Sequence, residues 1–128
     1  MIGDDEPTFV IAEAGLNHNG DLKLALKLVD VVAECGTDAV KFQIFKADAL
    51  CSKKDESYKL FKSLELPREF WEKIADFAEK HNIIFSASIF DEESADLLED
   101  LCASFFKIAP GDLTYHQLLT YVVKKEAN

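Results

Sequence analysis

The chain has 128 residues, 48% of them hydrophobic, with a formal net charge of −10. That length supports one domain with a modest core. The acidic balance argues against nucleic acid or an anionic membrane as partner, since both call for clustered Lys and Arg, though a few local cations can still bind a small anion. No apolar run approaches the roughly 18 residues of a membrane span, and Cys35, Cys51 and Cys102, odd in number and widely spaced, read as reduced thiols of a cytoplasmic protein.

The elements alternate in chain order. Residues 8–13 (TFVIAE) form a short apolar run ending at a carboxylate, Glu13. The polar loop GLNHNG follows. In residues 21–35, Leu22, Ala25, Leu26, Val29 and Val32 recur at a helical period, with Gly36 as a terminator. Residues 39–45 (AVKFQIF) are β-branched and aromatic, as a strand requires. Pro67 opens a second helix marked by Phe70, Trp71, Ile74, Phe77 and Ala78. Residues 83–88 (IIFSAS) predict a third strand. Residues 91–102 predict a helix with an acidic first turn, 105–109 (FFKIA) a fourth strand, and 115–125 a helix with Lys124 and Lys125 in its last turn.

The order βαβαβαβα, with short and nearly continuously apolar strands, predicts a parallel sheet covered by helices. An open doubly wound sheet and part of a (β/α)8 barrel both fit. Neither a GxGxxG fingerprint nor a P-loop follows the first strand. In both architectures ligands bind at the carboxyl ends of the strands. Glu13 ends strand one, Lys41 and Gln43 share a face of strand two, Ser86 and Ser88 share one of strand three, and Lys107 lies in strand four with Asp112 just beyond. A structural ion pair inside the sheet needs one lysine; two on separate strands suggest a phosphate or carboxylate ligand.

The segments IAEAGLNHNGD, AVKFQIFKAD, FSASIFD and FKIAPGDL, in this order and spacing, resemble the N-terminal region of the sialic acid synthase family, which includes legionaminate, pseudaminate and spore-coat polysaccharide synthases. The resemblance implies a (β/α)8 barrel of which residues 1–128 carry the first four βα units. It implies condensation of phosphoenolpyruvate with N-acetylmannosamine, its 6-phosphate or a related amino sugar. A divalent metal, Mn2+ or Mg2+, polarises the aldehyde, the enol carbon attacks it, and water attacks the resulting oxocarbenium so that phosphate leaves. Carried over by motif, Lys41, Lys107 and Ser88 bind phosphoenolpyruvate, Gln43 shares their site, Glu13 lies beside the sugar, and Asp112 is a candidate for proton transfer or cation stabilisation.

Asn17 and Asn19 read first as turn and cap residues, with Asn17 also a candidate substrate contact. His18 reads either as a sugar contact or as a solvated loop side chain. His81 and His116 belong to helix ends, and none of the three histidines matches the family's metal ligands. Pro110 stands where the family carries serine, which removes a hydroxyl and a backbone donor. The metal-binding histidines are expected beyond Asn128, so the chain is read as a synthase fragment without turnover of its own. A half-barrel anion-binding module, or part of a different, lysine-dependent aldolase barrel, remain alternatives. Two open sheet edges predict self-association into a dimer.

Overall fold

The structure is a computed structural model and describes residues 3–126. The elements are β1 (Ile11–Gly15), α1 (Leu22–Glu34), β2 (Ala39–Ile44), α2 (Ala47–Leu50), α3 (Tyr58–Leu64), α4 (Arg68–Lys80), β3 (Ile84–Ile89), α5 (Glu92–Asp100), β4 (Phe106–Ile108) and α6 (His116–Glu126). The four strands form one parallel sheet in the sequential order β1-β2-β3-β4. A doubly wound sheet reverses its strand order at a switch point; no reversal occurs among these four strands, which leaves the chain singly wound.

The period-2 alternation of the strands sorts their residues between two faces. Val40, Phe42, Ile44, Phe85, Ala87 and Ile89 pack with Ala25 and Val29 of α1, Trp71 and Ile74 of α4, and Leu98 of α5 into the core. Each buried Phe or Ile contributes about 1.5–3 kcal/mol. The open face carries Glu13, Lys41, Gln43, Ser86, Ser88 and Lys107, which the registers Glu13↔Lys41, Lys41↔Ser86, Gln43↔Ser88 and Ser88↔Lys107 place side by side. It is thus largely polar, because Phe42 and Phe106 turn toward the helices.

The rings of Phe9 and Phe105, two residues before Ile11 and Lys107, meet edge to face at 6.3 Å. They cover the amino-terminal end of the open face and leave the carboxyl end as its mouth.

Two short helices, α2 and α3, fill the β2–α4 connection, to which the sequence pattern assigns no element. They stand on tertiary contacts: the Ala47 N–H at the start of α2 donates to the Glu65 carboxylate at 2.6 Å, and Phe45 packs edge to face on Phe61. β1 starts three residues later than expected and ends two later: Thr8, Phe9 and Val10 stay outside the strand, which continues through Ala14 to Gly15.

Candidate anion site at the mouth of the sheet

Lys41 is the centre of the site. Its side chain is 11% exposed. Its ammonium forms an ion pair with Glu13, whose side chain is 52% exposed, and donates to Ser88 Oγ at 3.0 Å. A buried ammonium is costly unless it is paired, and two adjoining strands supply the partners. Lys107 lies level with Ser88 across β3–β4, on the same face; its ammonium donates to the Ile108 carbonyl at 2.5 Å. Ser86, just below, is fully buried and donates to the Phe105 carbonyl at 2.7 Å, tying β3 to the start of β4.

Glu13 is the last regular partner of β1 before a bulge. Glu13 pairs with Lys41 and Gly15 with Phe42, so Ala14 is an extra residue in β1. Gly15 takes φ +55°, and a Cβ there would stand 3.3 Å from Glu13 Oε1 and 3.8 Å from Gln43 Nε2. A glycine at this point leaves room for both side chains. Gly15 escaped the sequence reading, although its place directly after the strand carboxylate is the signal that marks it.

The loop after β1 is polar because it caps. Asn17 donates its backbone and side-chain N–H to the Ala14 carbonyl at 3.1 and 2.9 Å, and Asn19 adopts φ +50°. Asp21 accepts the Leu24 N–H at 3.0 Å and starts α1. The structure corrects the expectation of a solvated loop histidine at His18. It is neither solvated nor beside the lysines. It is fully buried, against Phe42 and Trp71 on the helix side of the sheet, with ring centroids 6.2 and 5.8 Å away. Burial also lowers its pKa from the ordinary 6.5.

Asp112, half-buried, lies in a 3-10 turn, Pro110–Asp112, past the carboxyl end of β4. Pro110 begins that turn, where a backbone N–H has no helical partner, so the missing donor costs the fold nothing. The site therefore gathers Glu13, Lys41, Ser88, Gln43 and Lys107 on one face, with Asp112 beyond the end of β4, and leaves His18 behind the sheet. Among the described residues no three His, Cys, Asp or Glu side chains come together as a metal-ligand group. His81 is engaged with Asp30 at 3.2 Å and with the Phe77 carbonyl. The residues present do not fit the divalent ion that the resemblance implies.

Residues 28–128 match the NeuB family model. The chain is 46% identical over 123 residues to the uncharacterized protein MJ1065 of Methanocaldococcus jannaschii, a match covering 96% of this chain and 36% of that one. It is 41% identical to the spore coat polysaccharide biosynthesis protein SpsE of Bacillus subtilis, again over 96% of this chain and 36% of the relative. The crystal structure of an N-acetylneuraminic acid (sialic acid) synthetase from Leptospira borgpetersenii, in complex with citrate, superposes with a TM-score of 0.90 at 32% identity, over 97% of this chain and 45% of that one. The chain thus spans little more than a third of the curated relatives' length. With the family model matching well over half of its residues, this chain belongs to the NeuB family.

Proposed function

We propose that residues 1–128 form the first half of a (β/α)8 barrel synthase and supply its grip on phosphoenolpyruvate, for condensation with N-acetylmannosamine, its 6-phosphate or a related amino sugar. The observation that carries this reading is the buried Lys41 ammonium, held between Glu13 and Ser88, with Lys107 on the same face of the next strand. The sequential strand order and the likeness to a sialic acid synthetase support the barrel. That relative was solved with citrate, a polycarboxylate.

In this reading an anionic group of phosphoenolpyruvate displaces Glu13 from Lys41 and bridges Lys41, the Ser88 hydroxyl and Lys107. Charge-assisted bonds of this kind are the strong ones. Gln43, one register step from Lys41 on the same face, orients the ligand. The released Glu13 carboxylate faces the amino sugar at the mouth. Asp112 moves a proton or stabilises positive charge at the reacting carbon. Reduced Cys35, Cys51 and Cys102 support a cytoplasmic setting.

Isothermal titration of the chain with phosphoenolpyruvate tests the reading. One molecule is expected to bind per site, and Lys41→Met and Lys107→Met each to weaken binding at least ten-fold. Affinity unchanged from the wild type in either variant overturns it. Borohydride trapping of a Schiff base on either lysine would instead select the aldolase alternative.

A further inference from the structure

His18 takes no part in the anion grip, yet it is a titratable side chain buried completely. Its Nδ1 accepts the Gly20 N–H at 3.0 Å. A neutral imidazole that accepts at Nδ1 carries its proton on Nε2. That Nε2 is buried with no hydrogen-bond partner, walled by Phe42 and the near-perpendicular indole of Trp71. A donor left unpaired in an apolar pocket is a cost, which an apolar side chain of similar size would avoid. What the imidazole supplies is the acceptor for Gly20.

The loop it holds is tightly drawn. The Asp21 N–H donates to the His18 carbonyl at 2.8 Å. Gly20, at φ +76°, lies so close to α3 that a Cβ would stand 2.5 Å from the Ser63 carbonyl oxygen. At its other end the loop is tied by Asn17 to Ala14, the bulge residue directly after Glu13. We propose that His18 is a positioning residue: as a neutral acceptor it locks the β1–α1 loop, and through the bulge it keeps Glu13 on Lys41, a lock that acid releases.

Protonation places an N–H on Nδ1, so the Gly20 bond becomes donor against donor. It also puts a cation in a pocket with no counter-ion. The groups against the ring are Phe42 from β2 and Trp71 from α4, both uncharged. Three charged groups on the surrounding elements, Asp21, Lys62 and Arg68, have their own partners. Asp21 caps Leu24, Lys62 of α3 pairs with Glu65, Arg68 of α4 pairs with Glu72 and Asp100, and Lys41 faces the other side of the sheet. The lowered pKa of His18 agrees with this.

The proposal rests on the reading of Lys41, Ser88 and Lys107 as an anion site, and its test separates the two. Nitrogen chemical shifts of the ring and amide exchange at Gly20 are followed against pH in the unliganded chain, together with affinity for sulfate, a dianion across the whole range. The comparison variant is His18→Asn, whose Oδ1 stands in for Nδ1 and does not titrate. At pH 6.5, where half of a free imidazole is charged, the ring is expected to be neutral and protonated on Nε2. Below that, imidazolium formation, at least ten-fold faster Gly20 exchange and a gain of about five-fold in sulfate affinity, as Glu13 leaves Lys41, should coincide. In His18→Asn, Gly20 exchange and sulfate affinity should stay within about three-fold over the pH range in which the wild-type ring becomes charged. An Nδ1–H tautomer, half-protonation at or above pH 6.5, or the same pH profile in His18→Asn overturns the proposal. If sulfate binds neither protein, the anion-site reading falls, and the loop lock stands or falls on the ring nitrogens and Gly20.

Discussion

Replacing Glu13 with Gln should tighten anion binding, although the residue lies in the site. In the unliganded chain the Glu13 carboxylate sits on the Lys41 ammonium, so an incoming anion must displace it. With the Lys41 side chain 11% exposed and that of Glu13 52% exposed, the pair lies between a buried and a surface ion pair, and solvent screening from the Glu13 side keeps it near 1 kcal/mol. Removing a competitor of that strength raises affinity about five-fold. The Gln amide oxygen still accepts from Lys41, which lowers the expected gain to about two- to five-fold. Lys41→Met acts the other way. It removes the cation and at least ten-fold of affinity, yet relief from burying an ammonium offsets the lost bonds to Glu13 and Ser88, so stability should shift by less than about 2 kcal/mol. Titration calorimetry with phosphoenolpyruvate at two salt concentrations, with thermal unfolding of each variant, reads both quantities. If Glu13→Gln weakens binding as much as Lys41→Met, Glu13 holds the ligand rather than competing with it, and the reasoning fails.

Gly20→Ala should cost about 2–4 kcal/mol, from a non-glycine residue at φ +76° and a Cβ forced onto the Ser63 carbonyl; the melting temperature should fall by roughly 10 °C, and a loss below 1 kcal/mol would contradict the close approach. The 128-residue chain alone should release no phosphate from phosphoenolpyruvate and N-acetylmannosamine with Mn2+ present, because the described residues gather no metal-ligand group; sugar-dependent release above the uncatalysed rate would refute this. At micromolar concentration the chain should sediment above 14.4 kDa, since β1 and β4 are the edges of the sheet; a clean species at that mass would refute it.

Lys41 and Lys107 could be assigned to one face from the sequence, because the two-residue period of a strand is rigid and both lie in short apolar runs. The same logic could not say which face the helices cover. The structure turns Phe42 and Phe106 toward the helices and leaves the open side largely polar. An apolar patch therefore does not add to the case for self-association, which stands on the strand edges. His18 was misplaced for a related reason. A histidine between asparagines reads as solvated, and its burial depends on Phe42 and Trp71, residues 24 and 53 positions away that only the tertiary fold brings to it. The two helices of the β2–α4 connection were illegible too, because Glu65 and Phe61 hold them through contacts that no local pattern records.

The central claim is that Lys41 and Lys107 hold a single anion. A crystal structure of the chain with phosphoenolpyruvate tests it most directly. The account expects one ligand group within about 3 Å of both ammonium nitrogens and of the Ser88 hydroxyl, with Glu13 swung away from Lys41. Phosphoenolpyruvate seated in the clefts between α4 and α5, with the Glu13–Lys41 pair intact, would contradict it.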